Sequence, residues 1–181
     1  MSEPQFTPYL DGLKQAMKMC MERENSIFIG QQIVHYGNPM SKTIEGLPKE
    51  KMIETPVMEE TQMGITLGLG MMGYNVVSFY PRWDFLISAT NQLVNHLDKI
   101  EHMSDGGWCP NVIIRVGKGS DNPLDPGVQH KGNYVDSFRT MLKYIPIFNL
   151  DSYNKIIPTY EKILNSSGPA IIVEYPELYY S

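Results

Sequence analysis

Three residues of this 181-residue sequence have side chains that could act in catalysis or ligand binding, and each lies at the end of a predicted element, where such sites form. Glu59 opens a helical segment, Phe85 lies where a strand passes into a helix, and His130 ends a long loop. A carboxyl holds or donates a proton, an aromatic ring offers a flat surface, and an imidazole titrates near neutral pH. Each residue also has an ordinary explanation, as a helix-dipole partner, a core side chain or a surface residue. Their order along the chain therefore matters more than any one of them.

The GxGxxG pattern from Gly68 to Gly73 does not predict a dinucleotide site. In that fingerprint the glycines follow a strand and open a helix, so that a pyrophosphate meets the helix N-terminus. Here they end a helical segment and precede a strand. We interpret Gly64, Gly68 and Gly70 as positions of close helix packing and Gly73 as the helix cap. The hypothesis that the chain is a NAD-binding oxidoreductase rests on these glycines alone.

The sequence contains no spacing typical of a metal centre or of a serine nucleophile. It has no CxxC, no HExxH and no GxSxG pattern, although zinc sites and hydrolase elbows depend on such spacings. We therefore predict no metal site built by this chain alone.

The composition argues against two classes of partner. The chain has 15 Lys and Arg against 20 Asp and Glu, a net charge of −5, and no basic cluster, so we expect no nucleic-acid binding. No apolar run approaches the roughly 18 residues that cross a bilayer, so we expect no membrane span. The first residues lack the basic and apolar regions of a secretory signal. We expect a cytoplasmic protein.

Helical and strand patterns alternate along the chain. We predict helices over 7–23, 49–53, 59–72, 84–101, 134–143 and 152–164, and strands over 26–34, 75–79, 111–116, 145–148 and 170–174. Apolar strands that alternate with helices are typical of a mostly parallel sheet covered on both faces, a three-layer α/β/α fold. The segment 117–132, rich in Gly, Pro and Asp, is predicted to be one long loop, and long loops are often functional.

Several stretches, taken together with their order and spacing, have the pattern of one family. They are Glu54–Glu59, Gly64–Gly73, Asp84–Phe85, Asn91–Asn95, Met103–Gly107, Cys109–Arg115, Gln129–His130 and Ile171–Tyr175. In them the chain resembles the pyrimidine-binding, transketolase-like module of thiamine-diphosphate enzymes. The resemblance is specifically to the N-terminal half of the beta subunit of pyruvate and other 2-oxo acid dehydrogenases, and it covers about residue 26 to the end. It implies the thiamine-diphosphate-binding fold.

The resemblance also implies roles for individual residues. Glu59 matches the carboxylate that hydrogen-bonds the ring nitrogen of the cofactor's aminopyrimidine, and Phe85 matches the aromatic that stacks on this ring. His130 matches the histidine that faces the substrate or the acyl carrier. Gln31 follows Gly30, where the family commonly has an acidic residue near the site, and we expect it to contact the cofactor.

The chemistry of the cofactor gives a reason for a buried carboxyl at this position. Thiamine diphosphate must lose a proton from its thiazolium carbon, and a carboxyl that donates to the pyrimidine nitrogen favours this loss. Burial in an apolar interface raises the pKa of a carboxyl by up to about 3–5 units, which keeps the donating form populated. Val57, Met58 and Met63 are expected to provide apolar surroundings.

A second polypeptide is expected to complete the cofactor site. The family binds the diphosphate and Mg²⁺ through a Gly-Asp-Gly motif followed by Asn, and this chain lacks the motif. We therefore expect a complementary, alpha-type subunit that holds Mg²⁺, and self-association into an α2β2 heterotetramer. Residues 1–181 are expected to form a single pyrimidine-binding domain without the further C-terminal domain of the dehydrogenase beta subunits.

These observations lead to one main functional hypothesis and one alternative from another class. The chain is predicted to be the beta-like subunit of a thiamine-diphosphate enzyme that is active only with its companion and cleaves the carbon–carbon bond next to a carbonyl group. The substrate is a 2-oxo acid or a ketose. The reaction ends either in oxidative transfer to a lipoyl group or in a non-oxidative step, that is, decarboxylation or carboligation. The missing C-terminal domain slightly favours the non-oxidative outcome. The alternative is a non-catalytic subunit that binds or regulates a partner.

Overall fold

The computed structural model of the protein describes residues 7–35, 37–122 and 125–180. The segment 1–6, on which the expectation of no secretory signal rests, lies outside the described residues. The strands are β1 (Ser26–Gly30), β2 (Met52–Glu54), β3 (Asn75–Tyr80), β4 (Val112–Gly117), β5 (Ile147–Asn149) and β6 (Ala170–Glu174). They form one sheet in the order β2-β1-β3-β4-β6-β5, and every neighbouring pair is parallel.

Helices cover both faces of this sheet. They are α1 (Pro8–Met21), α2 (Glu59–Met71), α3 (Trp83–Leu86), α4 (Ile100–Met103), α5 (Val135–Met141) and α6 (Ile156–Leu164). One apolar core lies between the sheet and α1 with α6, and a second lies between the sheet and α2, α3 and α5. The prediction of a three-layer α/β/α fold is confirmed. No helix of the described residues is long and apolar enough to span a bilayer.

The helix predicted over 84–101 is wrong as one continuous element. The chain there passes from α3 through a 3₁₀ turn, Ile87–Ala89, and a π-helical segment, Gln92–Leu97, into α4. This stretch is rich in Asn and β-branched residues, which are weak helix formers. The buried Asp98 carboxylate accepts hydrogen bonds from the backbone N–H groups of Lys143–Ile145, each at 2.9 Å. These bonds hold the end of the π-helical segment against another part of the chain.

Two elements near the first strands also differ from the sequence predictions. The helix predicted over 49–53 is a 3₁₀ turn, Lys49–Lys51, that leads directly into the short edge strand β2. The strand predicted over 26–34 ends at Gly30, where the chain turns out of the sheet. A Cβ on Gly30 would lie 2.8 Å from the Cβ of Phe79 on β3, so the two backbones approach closely at this point.

A buried ion pair joins the neighbouring strands β4 and β6. The Arg115 guanidinium donates to the Glu174 carboxylate, with 2.8 Å between Nη2 and Oε2, and both side chains are fully buried. Nη1 of Arg115 also donates to the Thr43 hydroxyl at 3.0 Å, and the Tyr179 hydroxyl donates to Glu174. Burial, followed by the Glu174 carboxylate, raises the pKa of Tyr179 well above its ordinary value. The phenol therefore keeps the proton that it donates.

A carboxylate at the end of β2 fixes the turn that follows β1. Glu54 accepts hydrogen bonds from three consecutive backbone N–H groups: those of Gln32, of Ile33 at 3.0 Å and of Val34 at 2.7 Å. Gln32 has a left-handed backbone with a φ of 55°, which these bonds help to hold. The position of Gln31, at the start of the turn, thus depends on Glu54.

Glu174→Gln removes the countercharge of Arg115. Because breaking one side of a buried ion pair costs about 3–5 kcal/mol, we expect the free energy of unfolding in urea, followed by circular dichroism, to fall by that amount. Glu161→Gln is the matched control, since Glu161 is exposed on α6. The control should change this free energy by less than about 0.5 kcal/mol. If the free energy of unfolding changed by less than about 0.5 kcal/mol in Glu174→Gln as well, the ion pair would not stabilise the fold as proposed.

Glu54→Ala removes the acceptor of three backbone hydrogen bonds. Hydrogen bonds to a charged group contribute about 1.5–3 kcal/mol, so we expect the amides of residues 32–34 to exchange with deuterium about 10-fold faster or more. Exchange is followed residue by residue by NMR. Glu50→Ala is the control, because Glu50 is an exposed acid on the preceding turn. Unchanged exchange in Glu54→Ala would show that the turn is held by other contacts.

Candidate functional site

The topology of the sheet leaves a crevice beside β1 and β3. These strands are neighbours, but the chain leaves β1 towards β2 on one side and leaves β3 towards β4 on the other. Ligands bind at such switch points because the loops at the carboxyl ends diverge there. A cavity of about 490 Å³ lies at this point, within the usual size of a small-molecule pocket. Its lining includes Gln31, Glu54, Val57, Arg82 and Phe85.

Glu59 stands at the first position of α2 and hydrogen-bonds to this cavity's lining. Its side chain is buried, and the Gln31 Nε2 donates to its Oε1 at 3.0 Å. No described residue donates to Oε2 of Glu59. The carboxyl is therefore held at one oxygen by Gln31, while the other oxygen is left to bond a ligand.

A buried amide holds the start of α2 against β3. Gln62 lies one turn after Glu59 and is fully buried. Its Nε2 donates to the Ser78 Oγ at 3.1 Å and to the Phe79 backbone oxygen at 2.9 Å, and its Oε1 accepts from the Thr55 hydroxyl at 3.2 Å. Sequence reasoning gave Gln62 no role. The signal was a large amide in a Gly-rich helix, three residues after the candidate carboxyl.

The apolar surroundings expected for Glu59 are only partly present in this chain. Met63, one turn after Glu59 on α2, is fully buried, as expected, but Val57 is 79% exposed at the cavity. The expectation that Val57 buries the carboxyl is therefore not met by the chain on its own, because nothing in the described residues covers that side chain.

Phe85 and His130 lie against each other, although 45 positions separate them. Their ring centroids are 5.3 Å apart with an angle of 57° between the planes. The Arg82 Nη1 donates to the His130 backbone oxygen at 3.1 Å. The buried Nδ1 of His130 has no hydrogen-bond partner among the described residues. The loop thus brings an imidazole with a free nitrogen to the aromatic ring that lines the cavity.

Asp84 fixes the end of the His130 loop. Its carboxylate accepts from the Gly132 backbone N–H at 3.2 Å and from the Tyr134 hydroxyl at 3.4 Å. A Cβ on Gly132 would lie 2.2 Å from the Tyr134 ring and 2.7 Å from Asp84, so only glycine fits. Sequence reasoning noticed the aromatic neighbours of Asp84 but not this anchoring role.

The structure brings the four candidate residues together in two pairs. Gln31 contacts Glu59, and Phe85 contacts His130. Gln31 and Phe85 line the same cavity. Glu59 and His130 do not line it, but Glu59 contacts Gln31 and His130 contacts Phe85. Within the described parts of the chain, no group of three or more His, Cys, Asp and Glu side chains is placed to hold a metal ion.

The glycines of α2 pack differently from the sequence interpretation at two of three positions. A Cβ on Gly70 would lie 2.7 Å from Pro110, so this glycine does allow close packing, and Gly73 caps the helix with a φ of 89°. A Cβ on Gly64 or Gly68 would instead meet open space. The predicted close packing at these two positions is absent from the described structure.

The chain is similar in sequence to curated beta subunits of 2-oxo acid dehydrogenases, although no family model matches it. It is 28% identical over 112 residues to the 2-oxoisovalerate dehydrogenase subunit beta of Bacillus subtilis, covering 60% of this chain and 34% of that protein. It is 23% identical over 176 residues to the pyruvate dehydrogenase E1 component subunit beta of Rickettsia felis, covering 93% and 52%. The human mitochondrial counterpart is 25% identical over 178 residues, covering 93% and 47%. The chain spans about half the length, or less, of these relatives.

Two solved transketolase structures have the same fold as this chain. A split-gene transketolase, described as an inactive beta4 tetramer, matches with a TM-score of 0.68 and 14% identity, over 93% of this chain and 50% of that one. The transketolase of Campylobacter jejuni matches with a TM-score of 0.70 and 14% identity, over 96% and 26%. The chain therefore has the fold of a transketolase-like pyrimidine module and resembles the N-terminal half of the beta subunit of 2-oxo acid dehydrogenases.

Proposed function

We propose that this chain is the beta-like, pyrimidine-binding subunit of a two-subunit thiamine-diphosphate enzyme. The enzyme cleaves the carbon–carbon bond next to a carbonyl group of a 2-oxo acid or a ketose, by decarboxylation or by ketol or acyl transfer. The observation that carries the proposal is the Gln31–Glu59 pair at the switch-point cavity that Phe85 also lines. The similarity to dehydrogenase beta subunits supports it.

The residues at the cavity fit one half of the cofactor. Glu59 offers a carboxyl oxygen without a described donor, and Phe85 offers an aromatic face at the cavity. Among the described residues, no group of three or more His, Cys, Asp and Glu side chains is placed to hold Mg²⁺, and the sequence lacks the Gly-Asp-Gly motif, so we assign the diphosphate and Mg²⁺ to an alpha-type companion. Thiamine diphosphate, when bound, supplies a thiazolium carbon that attacks the substrate carbonyl once it has lost its proton.

Each of the four residues then has a definite task. Glu59 holds a proton at Oε2 for the aminopyrimidine nitrogen, while Gln31 orients the carboxyl by donating to Oε1. Phe85 positions the ring by stacking. His130 uses its unpartnered Nδ1 to hydrogen-bond the substrate or to exchange a proton with it. Exclusion of water from Glu59 requires an additional surface over Val57, which is exposed.

An uncovered part of α2 is proposed as the surface that meets the companion subunit. Gly64 and Gly68 face open space, Ile65 is 39% exposed, and Met72, which follows the helix, is 76% exposed. Together with Val57, before the helix, these residues are small or apolar and partly or fully exposed, and Glu60 is the exposed charge one turn before Gly64. Such surfaces are typical of obligate interfaces, and they fit an assembly of two beta-like and two alpha-type subunits.

Glu59→Gln tests the proposed role of the carboxyl, because glutamine has the same shape but carries no exchangeable acid proton. In the complex with the companion subunit, we expect the turnover rate to fall by about 10²–10⁴-fold, as for loss of a general acid or base. The thermal unfolding curve should not shift. Glu60→Gln is the matched control, since Glu60 is the exposed next residue on the same helix, and it should leave the rate within about 2-fold.

An equal rate in the wild-type complex and in Glu59→Gln would overturn the catalytic assignment. If the complex still assembled, this result would favour the alternative of a non-catalytic subunit that binds or regulates its partner.

A further inference from the structure

Arg82 is a cation at the cavity without a countercharge. It lies two residues after the end of β3, is half-buried and lines the cavity together with Phe85. None of the ion pairs formed by the described residues includes it. A partly desolvated guanidinium without a carboxylate is costly unless a ligand supplies the negative charge.

The carboxylates near this cavity are already engaged elsewhere. Glu54 accepts from three backbone N–H groups, Glu59 accepts from Gln31, and Asp84 accepts from Gly132 and Tyr134. Their hydrogen bonds hold them in these positions. Neutralising Arg82 by rotating one of them would therefore break the contacts that build the site.

The free donors of Arg82 suit an oxyanion. Its Nη1 donates to the His130 backbone oxygen at 3.1 Å, but Nε and Nη2 have no acceptor among the described residues. A guanidinium presents its N–H groups as a planar fork that binds a carboxylate or a phosphate through two parallel hydrogen bonds. Because Arg82 is bonded to the His130 backbone, an anion held there is placed beside the Phe85–His130 pair.

We propose that Arg82 binds an oxyanion group of the substrate that is remote from the bond that breaks. The anion is a phosphate or a second carboxylate. This inference rests on the proposed function, because it concerns the substrate of the proposed enzyme. It predicts that the enzyme prefers donors such as ketose phosphates or 2-oxo dicarboxylic acids over pyruvate and branched-chain 2-oxo acids.

The leaving carboxylate of a 2-oxo acid is a poor occupant of this position. Decarboxylation turns the anionic carboxylate into neutral CO₂, so its negative charge moves away from the carboxyl oxygens as the bond breaks. A guanidinium on those oxygens stabilises the ground state more than the transition state, which slows the step. A remote oxyanion keeps its charge throughout and contributes binding without this cost.

The first experiment measures anion binding by the chain itself, with inorganic phosphate as the probe. The full chain is titrated and the Arg Nε–H and residue 82–85 amide signals are followed by NMR. We expect Arg82→Gln to weaken phosphate binding about 10-fold or more, since charge-assisted hydrogen bonds are lost. Arg82→Lys, which keeps the charge but not the fork, should lie between wild type and Arg82→Gln. Arg139→Gln is the control, because Arg139 is exposed on α5 and pairs with Asp136.

Equal phosphate affinity in wild type and in a folded Arg82→Gln would overturn the inference, as would an equal loss in Arg139→Gln. The readout does not depend on thiamine diphosphate. Arg82-dependent phosphate binding in a complex whose turnover is insensitive to Glu59→Gln would mean that the anion site stands and the catalytic assignment fails.

The second experiment measures turnover in the complex with the companion subunit. We expect Arg82→Gln to raise KM for 2-oxoglutarate or for a ketose phosphate about 10–100-fold and to leave KM for pyruvate within about 3-fold. The substrate whose KM rises identifies the bound group, as a carboxylate in the case of 2-oxoglutarate or as a phosphate in the case of a ketose phosphate. A rise in the Kd of thiamine diphosphate with unchanged KM values would assign Arg82 to the cofactor diphosphate and overturn the proposal.

Discussion

The parallel pairing of β1 with β3 is the constraint on which the candidate site depends. It places Gly30 opposite Phe79, so that the loops after both strands begin at the same edge of the sheet. The chain then leaves the two strands in opposite directions, which opens the crevice between the loops. A shift of this register by one residue would turn the apolar side chains of either strand to the opposite face. The position of the cavity is thus fixed by the same packing that stabilises the fold.

Polar side chains attach the loops of the site to this apolar frame. Glu54 holds the turn of Gln31, Gln62 holds the start of α2, and Asp84 holds the end of the His130 loop. Most of these contacts are made to backbone groups. Each anchor bonds a backbone N–H or C=O group, which in the case of Gln62 and Phe79 is buried and needs a partner, and it also sets the position of a segment that carries a functional side chain. Stability and positioning therefore have the same physical source at this site.

The fold was predictable from the sequence to a greater extent than the site. Continuous apolar runs predicted the central strands, and Gly73 predicted the end of α2, because these signals lie within a few consecutive residues. The short edge strand β2 and the π-helical segment were missed, since both depend on contacts from distant parts of the chain. The anchors Glu54 and Asp84 bond residues about 20 and 48 positions away, which no local pattern shows. The single-domain assignment over 1–181 and a cytoplasmic location remain predictions.

The central claim is that Glu59 meets the aminopyrimidine of thiamine diphosphate across a subunit boundary. The most direct measurement is a structure of the chain with its companion subunit, thiamine diphosphate and Mg²⁺. We expect an oxygen of Glu59 within hydrogen-bond distance, about 2.6–3.2 Å, of the pyrimidine ring nitrogen, with the companion covering Val57. A cofactor bound elsewhere, or a Glu59 carboxyl that points into solvent in the assembled complex, would contradict the claim.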